Sequence, residues 1–431
     1  MKSKKFVLAG LVLLAITGLL PLAGCKNDSV PETPAAKLVS ISVTTLPTRT
    51  VYSVGQSFDP TGMVVTATYE GGKKQEVTGW TTNFGTVVAE KGLGKEVTVS
   101  YKEEETPKTT TFTVTVFPTE VEVLTDYESP NNTGSKWTYV AFGEWPQTEA
   151  VDFNPTTAPQ SHGIFDGNYY VEGNDKYVKE GDNYYKVEPI VWRVLTTSYK
   201  APEGGTAGEI LLLAESILTG GIPYYKGLNT RTITGAGTKE GEPDTVYPNN
   251  WQYSTIRAWL NGSDVVQGDA QENDTTYTGK GFLQTAFTAD AQSLIAATSV
   301  DNTAASTNPA SNPNLWSDGS NPYACANTTD KVFLLSEHEA TTLNSGFAAY
   351  NAAGKGNTRI RVTTDYAQAT GAYQGDPSAG YGGWWWLRSP YCYYGDYARV
   401  IDYNGYADNL DNVYYTDGGV VPALSISLGG N

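Results

Sequence analysis

The residues best equipped for chemistry crowd together near the C-terminus. There the chain sets Tyr391, Tyr393, Tyr394, Tyr397, Tyr403, Tyr406, Tyr414 and Tyr415 among Asp396, Asp402, Asn404, Asp408, Asn409, Asp411 and Asn412. Tyrosine gives a large contact area at low entropy cost, and Asn, Asp and Gly add adaptable hydrogen bonding, which is the composition of binding loops. Trp384-Trp385-Trp386-Leu387 precedes the stretch, and an apolar run, Val420 to Leu424, closes it. The chemistry this pattern suits is recognition. The plainer reading is a tyrosine-rich edge of a β-sheet, because aromatic residues also serve strands. Arg388 and Arg399 are the cations of the region and are expected to belong to the framework, paired with aspartates.

Catalytic patterns find little support. The chain has two histidines, His162 in a loop and His338 in a short helix, and neither sits in a nucleophile–imidazole arrangement. Two histidines and scattered cysteines lack zinc spacing. Asp402-Tyr403-Asn404-Gly405 begins like a calcium loop, but Val413 stands where the bidentate Glu belongs. An irregular calcium site at Asp408, Asp411 and Asp417 is the weaker alternative to a solvated acidic loop. Gly235-Ala236-Gly237 with Gly241 misses the dinucleotide fingerprint by one residue. The sequence therefore calls for no metal and no cofactor. Cys325 and Cys392 are expected to be free thiols. The formal charge of −17 disfavours nucleic acid and anionic lipid head groups as partners.

WWWLRSPY, then AR, then GGVVPAL resemble the variable region of the Treponema variable protein family. YVAFGEWPQ, IVWRVL, STIRAWLNG, GFLQTAFT and KVFLLSEHEA extend that resemblance back to about residue 134. The family comprises surface lipoproteins built on a C-type lectin fold and diversified by a retroelement. The resemblance implies a variable region at about 389–417 that binds a protein or glycan ligand on another cell or host surface. One compositional feature agrees with it. From Ser389 onward there is no Lys, Glu, Gln, Met or Trp, the residues whose codons must end in a purine. Every type present can be written with a pyrimidine-ending codon, as if adenines in AAC codons had been randomised. The Glu-Pro-Asn and Gln-Pro-Asp triplets of calcium-dependent sugar-binding lectins are missing, so the resemblance does not carry that activity. A fixed glycan-binding module is the alternative function. A formylglycine-generating-type oxidase, which shares the fold and uses paired cysteines, is the third.

The elements that must position this stretch divide the chain. Residues 1–24 read as an export signal, with Lys2, Lys4 and Lys5 before an apolar core too short for a membrane span. Leu22-Ala23-Gly24-Cys25 resembles a bacterial lipobox, which implies lipidation of Cys25 and attachment to a membrane, most naturally at the outer surface. Residues 25–36 form a tether. Residues 37–117 alternate apolar and polar in several short runs, as strands of a sandwich do, and resemble bacterial Ig-like domains; a spacer is the expected role. Residues 118–133 read as a linker. Residues 134–431 are expected to form a larger α+β domain of the C-type lectin or formylglycine-generating-enzyme kind. Its central strands include Ile190–Leu195 and Glu209–Ala214, and Ser254, Thr288 and Ser336 are expected to cap helices, that of Thr288 running from Ala289 to Ala297. The long polar segments 224–250 and 301–329 are costly unless they pack or function, and are expected to buttress the binding end.

Overall fold

The computed structural model describes residues 36–428 apart from 104, 132–136, 200–208, 265–275, 317 and 408. The export signal, Cys25, nearly all of the tether and Asp408 lie outside the described residues. The architecture is mostly β, with short helices between strands.

The N-terminal module is a two-sheet sandwich. Leu38–Thr45, Val64–Tyr69 and Lys74–Val77 form one antiparallel sheet. Val51–Ser53, Lys108–Phe117, Gly92–Tyr101 and Thr81–Thr82 form the other, in that order. Alternation places Ile41, Val65, Val97, Val99, Phe112 and Val114 inward, in a core of their own. The turn at residues 70–73 is a hairpin connection, with Gly71 and Gly72 at positive φ.

The C-terminal domain is built on an eight-stranded sheet. Its longest strand, Asn183–Tyr199, pairs with Asp175–Glu180, Tyr139–Glu149 and Glu209–Ala214. Glu209–Ala214 is buried along its whole length and pairs next with Ala423–Ser427. That last strand also pairs with Val332–Phe333. The chain end therefore returns to the interior of the sheet, and the tyrosine-rich stretch is an excursion anchored in the core at both ends. Gly143 sits at a break in register between Tyr139–Glu149 and Asn183–Tyr199, with φ of 71°. A Cβ there would lie 2.4 Å from the Phe287 ring, so only glycine fits.

Two expectations are corrected. Residues 118–133 are not a free linker: Glu122–Leu124 pairs with Tyr139–Glu149, and Val121 and Val123 are buried. The acidic and Pro/Asn-rich composition concealed Val121 and Val123, alternating apolar residues that suit a sheet edge. The helix after Thr288 ends at Leu294, short of Ala297. Ile295 and Ala296 leave it to pair with Ile426 and Ser425, so sheet hydrogen bonds override the helical pattern. The caps at Ser254, Thr288 and Ser336 form as expected, the last a full capping box with Glu339.

Arg193 and Glu215 form a buried ion pair across the sheet, with Nη2–Oε1 at 2.6 Å and side chains at 0% and 1% exposure. The buried Asn131 amide donates to the Glu215 carboxylate and carbonyl, tying residues 129–131 to this pair. Burial alone would raise the Glu215 pKa, but Arg361 and Arg193 hold it below the ordinary range. Removing one partner of a buried pair strands the other charge, so Glu215→Ala is expected to cost about 3–5 kcal/mol in chemical denaturation. The folded pKa is depressed, so the stabilisation is complete above the unfolded value of about 4.3 and is lost as pH falls through the folded value. Acid titration of wild type and variant, followed by circular dichroism, is expected to show the stability gap closing below about pH 4.

Candidate binding site

The frame of the site is the strand Trp385–Pro390, buried at every residue. It pairs with Tyr397–Ile401, which pairs in turn with Asn409–Asn412, giving a three-stranded antiparallel sheet. Trp385 Nε1 donates to the Arg359 carbonyl at 3.1 Å, and the Trp386 N–H to that of Gly419. Trp384 and Trp386 meet edge to face at 5.0 Å. Leu387, Val420, Val421, Ala423 and Leu424 are fully buried beneath them.

Arg388 and Arg399 are buried, as framework residues should be, and the acidic partner of Arg388 is a glutamate rather than the expected aspartate. Arg388 forms an ion pair with Glu339 and donates to the backbone carbonyls of Leu334 and Asp301. Arg399 lies over the rings of Trp316 and Tyr391, at 4.3 and 4.8 Å from their centroids. A planar guanidinium suits such stacking.

The long polar segments do hold the tyrosine-rich turn. The Asn249 amide donates to three carbonyls of that turn, Tyr391, Tyr394 and Tyr397, at 3.4, 3.0 and 2.9 Å. Tyr224, fully buried, donates to the Arg388 carbonyl at 2.8 Å. Asn321 donates to the Pro390 carbonyl, and the Cys392 thiol to that of Trp316. Arg359 grips the second turn, donating from Nε to the Gly405 carbonyl at 2.8 Å. Gly405 has φ of 82°, and a Cβ there would lie 2.5 Å from Asn357.

On this frame the expected contact residues fall into three groups. Tyr393, Tyr394, Tyr414 and Tyr415 project, at 66%, 60%, 38% and 42% exposure. Tyr391, Asp396, Tyr397, Asp402, Tyr403, Asn404, Tyr406, Asn409 and Asp411 are half-buried. Asn412 is a correction: it is buried, at 8% exposure. It pairs with Tyr397 in the sheet, and the next residue, Val413, enters the core. The rings of Tyr391 and Tyr393 lie 5.4 Å apart, Tyr394 and Tyr397 5.9 Å, and Tyr414 and Tyr415 5.1 Å. Several polar residues shape their own loops: Asn404 accepts from the Tyr406 N–H, Asp402 from Tyr403 and Asp411 from Asn412. Burial raises the pKa of Asp402 and of Asp411, the latter also through Asp417 and Asp402. Among the described residues no group of three His, Cys, Asp or Glu is arranged to hold a metal ion.

Sequence reasoning missed Tyr373 and Tyr381. Both pack edge to face on Tyr403, at 6.2 and 5.3 Å, and Tyr373 is 44% exposed. Backbone bonds from Tyr373 to Asp417 and from Gly382 to Tyr403 bind their loop to the site. They lie upstream of Trp384, in a Gly-rich loop with no periodic pattern to mark them. Arg359 was missed as well; the alternation Thr358-Arg359-Ile360-Arg361-Val362 was its available signal.

A family model described as a domain of unknown function, DUF6273, matches residues 207–428. The chain belongs to that family. The match spans the central strand Glu209–Ala214, the whole tyrosine-rich excursion and the returning strand. The sheet itself reaches further upstream, through Asn183–Tyr199 to Glu122–Leu124. A second model, the bacterial Ig-like domain (group 3), matches residues 45–116, in accord with the sandwich. No curated protein matches the chain.

Asn249→Ala removes the donor to three carbonyls at once. The Tyr394 and Tyr397 carbonyls each keep a backbone donor, so the loss is that of intramolecular hydrogen bonds, about 0.5–1.5 kcal/mol apiece. The expected outcome is a loss of stability of that order, with faster amide hydrogen exchange concentrated at residues 391–397.

Proposed function

We propose that the chain is a surface-displayed receptor or adhesin that binds its ligand through the tyrosine-rich face of a C-type-lectin-like domain. The observation that carries this reading is the contrast in burial. Trp385, Trp386 and Leu387 are fully buried, whereas Tyr393, Tyr394, Tyr414 and Tyr415 stand out from the same short stretch. Solvent-facing aromatic rings in a group are unusual unless they meet something. Affinity would come from these rings as anchors, with half-buried Asp and Asn side chains orienting the ligand. The resemblance to the Treponema variable proteins, and the lack from Ser389 onward of residues whose codons must end in a purine, support diversification of this face. Asp408 stays among the proposed contact residues.

The thiols favour binding over the oxidase reading. Cys325 and Cys392 are both free and buried. Burial pushes the Cys325 thiol up to about 11 and raises that of Cys392. Reactive cysteines have the opposite character, exposed and with depressed pKa. A single fixed glycan remains the second reading, because tilted, exposed tyrosine rings also suit the faces of sugars.

The lipobox-like Leu22–Cys25 supports membrane attachment through lipid. Among the described residues no helix is long and apolar enough to cross a membrane. In a bacterial host, a clickable fatty acid is expected to label the chain, and Cys25→Ser to abolish the label. Persistent labelling of the variant would remove the anchor from this proposal.

The binding reading is tested by replacing Tyr393, Tyr394, Tyr414 and Tyr415 together with Ala. Fluorescent chain would be applied to cultured epithelial cells and to a printed glycan array. Loss of anchor rings is expected to lower binding at least about tenfold, while surface substitutions leave Tm within a few degrees. Unchanged binding would contradict the proposal, and signal confined to one glycan would favour the second reading.

A further inference from the structure

A cavity of about 290 Å³ is lined by no residue from Tyr391 to Tyr415. Its walls come from the strand Asn183–Tyr199, the short helix Glu337–Ala340 and the turn Leu343–Ser345. At its base lies the ion pair of Arg388 and Glu339, with side chains at 1% and 14% exposure. Glu339 accepts from Arg388 and from the Ser336 N–H through one oxygen, and from the Tyr199 hydroxyl at 2.6 Å through the other. An ionised carboxylate has about four acceptor positions. These three bonds leave one, and the exposed fraction of Glu339 lies in the cavity wall.

Besides the buried Asp301 and the imidazole of His338, the remaining surface is of two kinds. Leu211 and the Tyr199 ring are apolar, whereas Ser198, Thr342, Asn344 and Ser345 bring hydroxyl and amide groups to the mouth. An anion would meet the Glu339 carboxylate. A purely apolar molecule would cover Glu339 and the Tyr199 hydroxyl without bonding to them. A cation gains little, because Arg388 already balances Glu339, and the Asp301 carboxylate is buried and accepts from the Thr303 N–H. The volume falls at the small end of ligand pockets, which begin at about 300 Å³. These constraints select a neutral molecule with hydroxyl donors on one side and an apolar face on the other.

We propose that this cavity is a binding site for a neutral, hydroxyl-bearing small molecule of about one sugar ring, with a hydroxyl on Glu339 and a ring face on Leu211 and Tyr199. The site stands independently of the tyrosine face.

The test titrates the intact chain, with methyl groups of Leu and Thr labelled for NMR, with glucose, galactose, mannose, N-acetylglucosamine and inositol. Glucosamine and lactate serve as the cationic and anionic arms. At least one neutral compound is expected to shift the Leu211 and Thr342 methyl signals saturably. Ser198→Trp, which fills the mouth from an exposed position, is expected to weaken that response at least tenfold. The fourfold tyrosine variant is expected to leave it unchanged, which separates this site from the tyrosine face. The proposal is overturned if no neutral compound shifts those methyls, if glucosamine or lactate shifts them more strongly, or if Ser198→Trp folds and responds like wild type. Should Ser198→Trp fail to fold, the wild-type shifts decide alone.

Discussion

A buried guanidinium must find partners for most of its N–H groups, and in this domain backbone carbonyls, many of them in irregular loops, supply them. Arg359 donates to the carbonyls of Gly405, Ala348, Ala349 and Ala352 and remains fully buried. Burial pulls its pKa down to about 10, which still leaves it charged at neutral pH. Arg361 donates to Ala214, Thr358 and Ile360, and Arg388 to Leu334 and Asp301. Each side chain offers five donors in a rigid fork, so a single residue fixes several backbone segments at once. Long loops without regular structure are otherwise costly. Here the arginines tie them to the sheet, and the tyrosine-bearing turns rest on the loops so fixed.

This arrangement separates the residues that carry the fold from those that face solvent. The tryptophans at 385 and 386, the returning strand Ala423–Ser427 and the arginines lie in the interior, while the exposed rings of Tyr393 and Tyr394 lean on half-buried Tyr391 and Tyr397, and Tyr414 and Tyr415 on each other. The separation is incomplete at the polar positions. Asp402, Asn404 and Asp411 use side-chain oxygens to hold neighbouring backbone N–H groups, so replacing them would also disturb the turns. Tyr403 likewise packs between Tyr373 and Tyr381. The exposed tyrosines are therefore the positions freest to change.

Much of this was legible in the sequence wherever local pattern and tertiary context agree. Alternating apolar residues marked the sandwich strands, and continuous apolar runs marked Glu209–Ala214. Ser254, Thr288 and Ser336 marked their helix starts through the chemistry of capping. The tyrosine cluster marked the exposed face, although its composition did not distinguish projecting Tyr393 from half-buried Tyr397 or buried Asn412. What stayed hidden depends on contacts distant in sequence. Glu122–Leu124 looked like linker because its acidic neighbours obscured a short alternation. Tyr373 and Tyr381 join the site through ring contacts with Tyr403 and through the backbone bonds of their loop to Asp417 and Tyr403. Asn249 sits in a polar loop like many others until its amide is seen beneath residues 391–397.

If one rigid frame carries a face free to vary, sequencing this gene and its flanking DNA from several isolates will find substitutions concentrated at Tyr393, Tyr394, Tyr414, Tyr415 and their half-buried neighbours, with Trp385, Leu387, Val420 and Leu424 unchanged. A nearby reverse-transcriptase gene and a near-copy of the codons for 389–417 that differs at adenines are expected beside it. An invariant tyrosine stretch with no such copy, or substitutions spread evenly through frame and face, would contradict this division of frame and face.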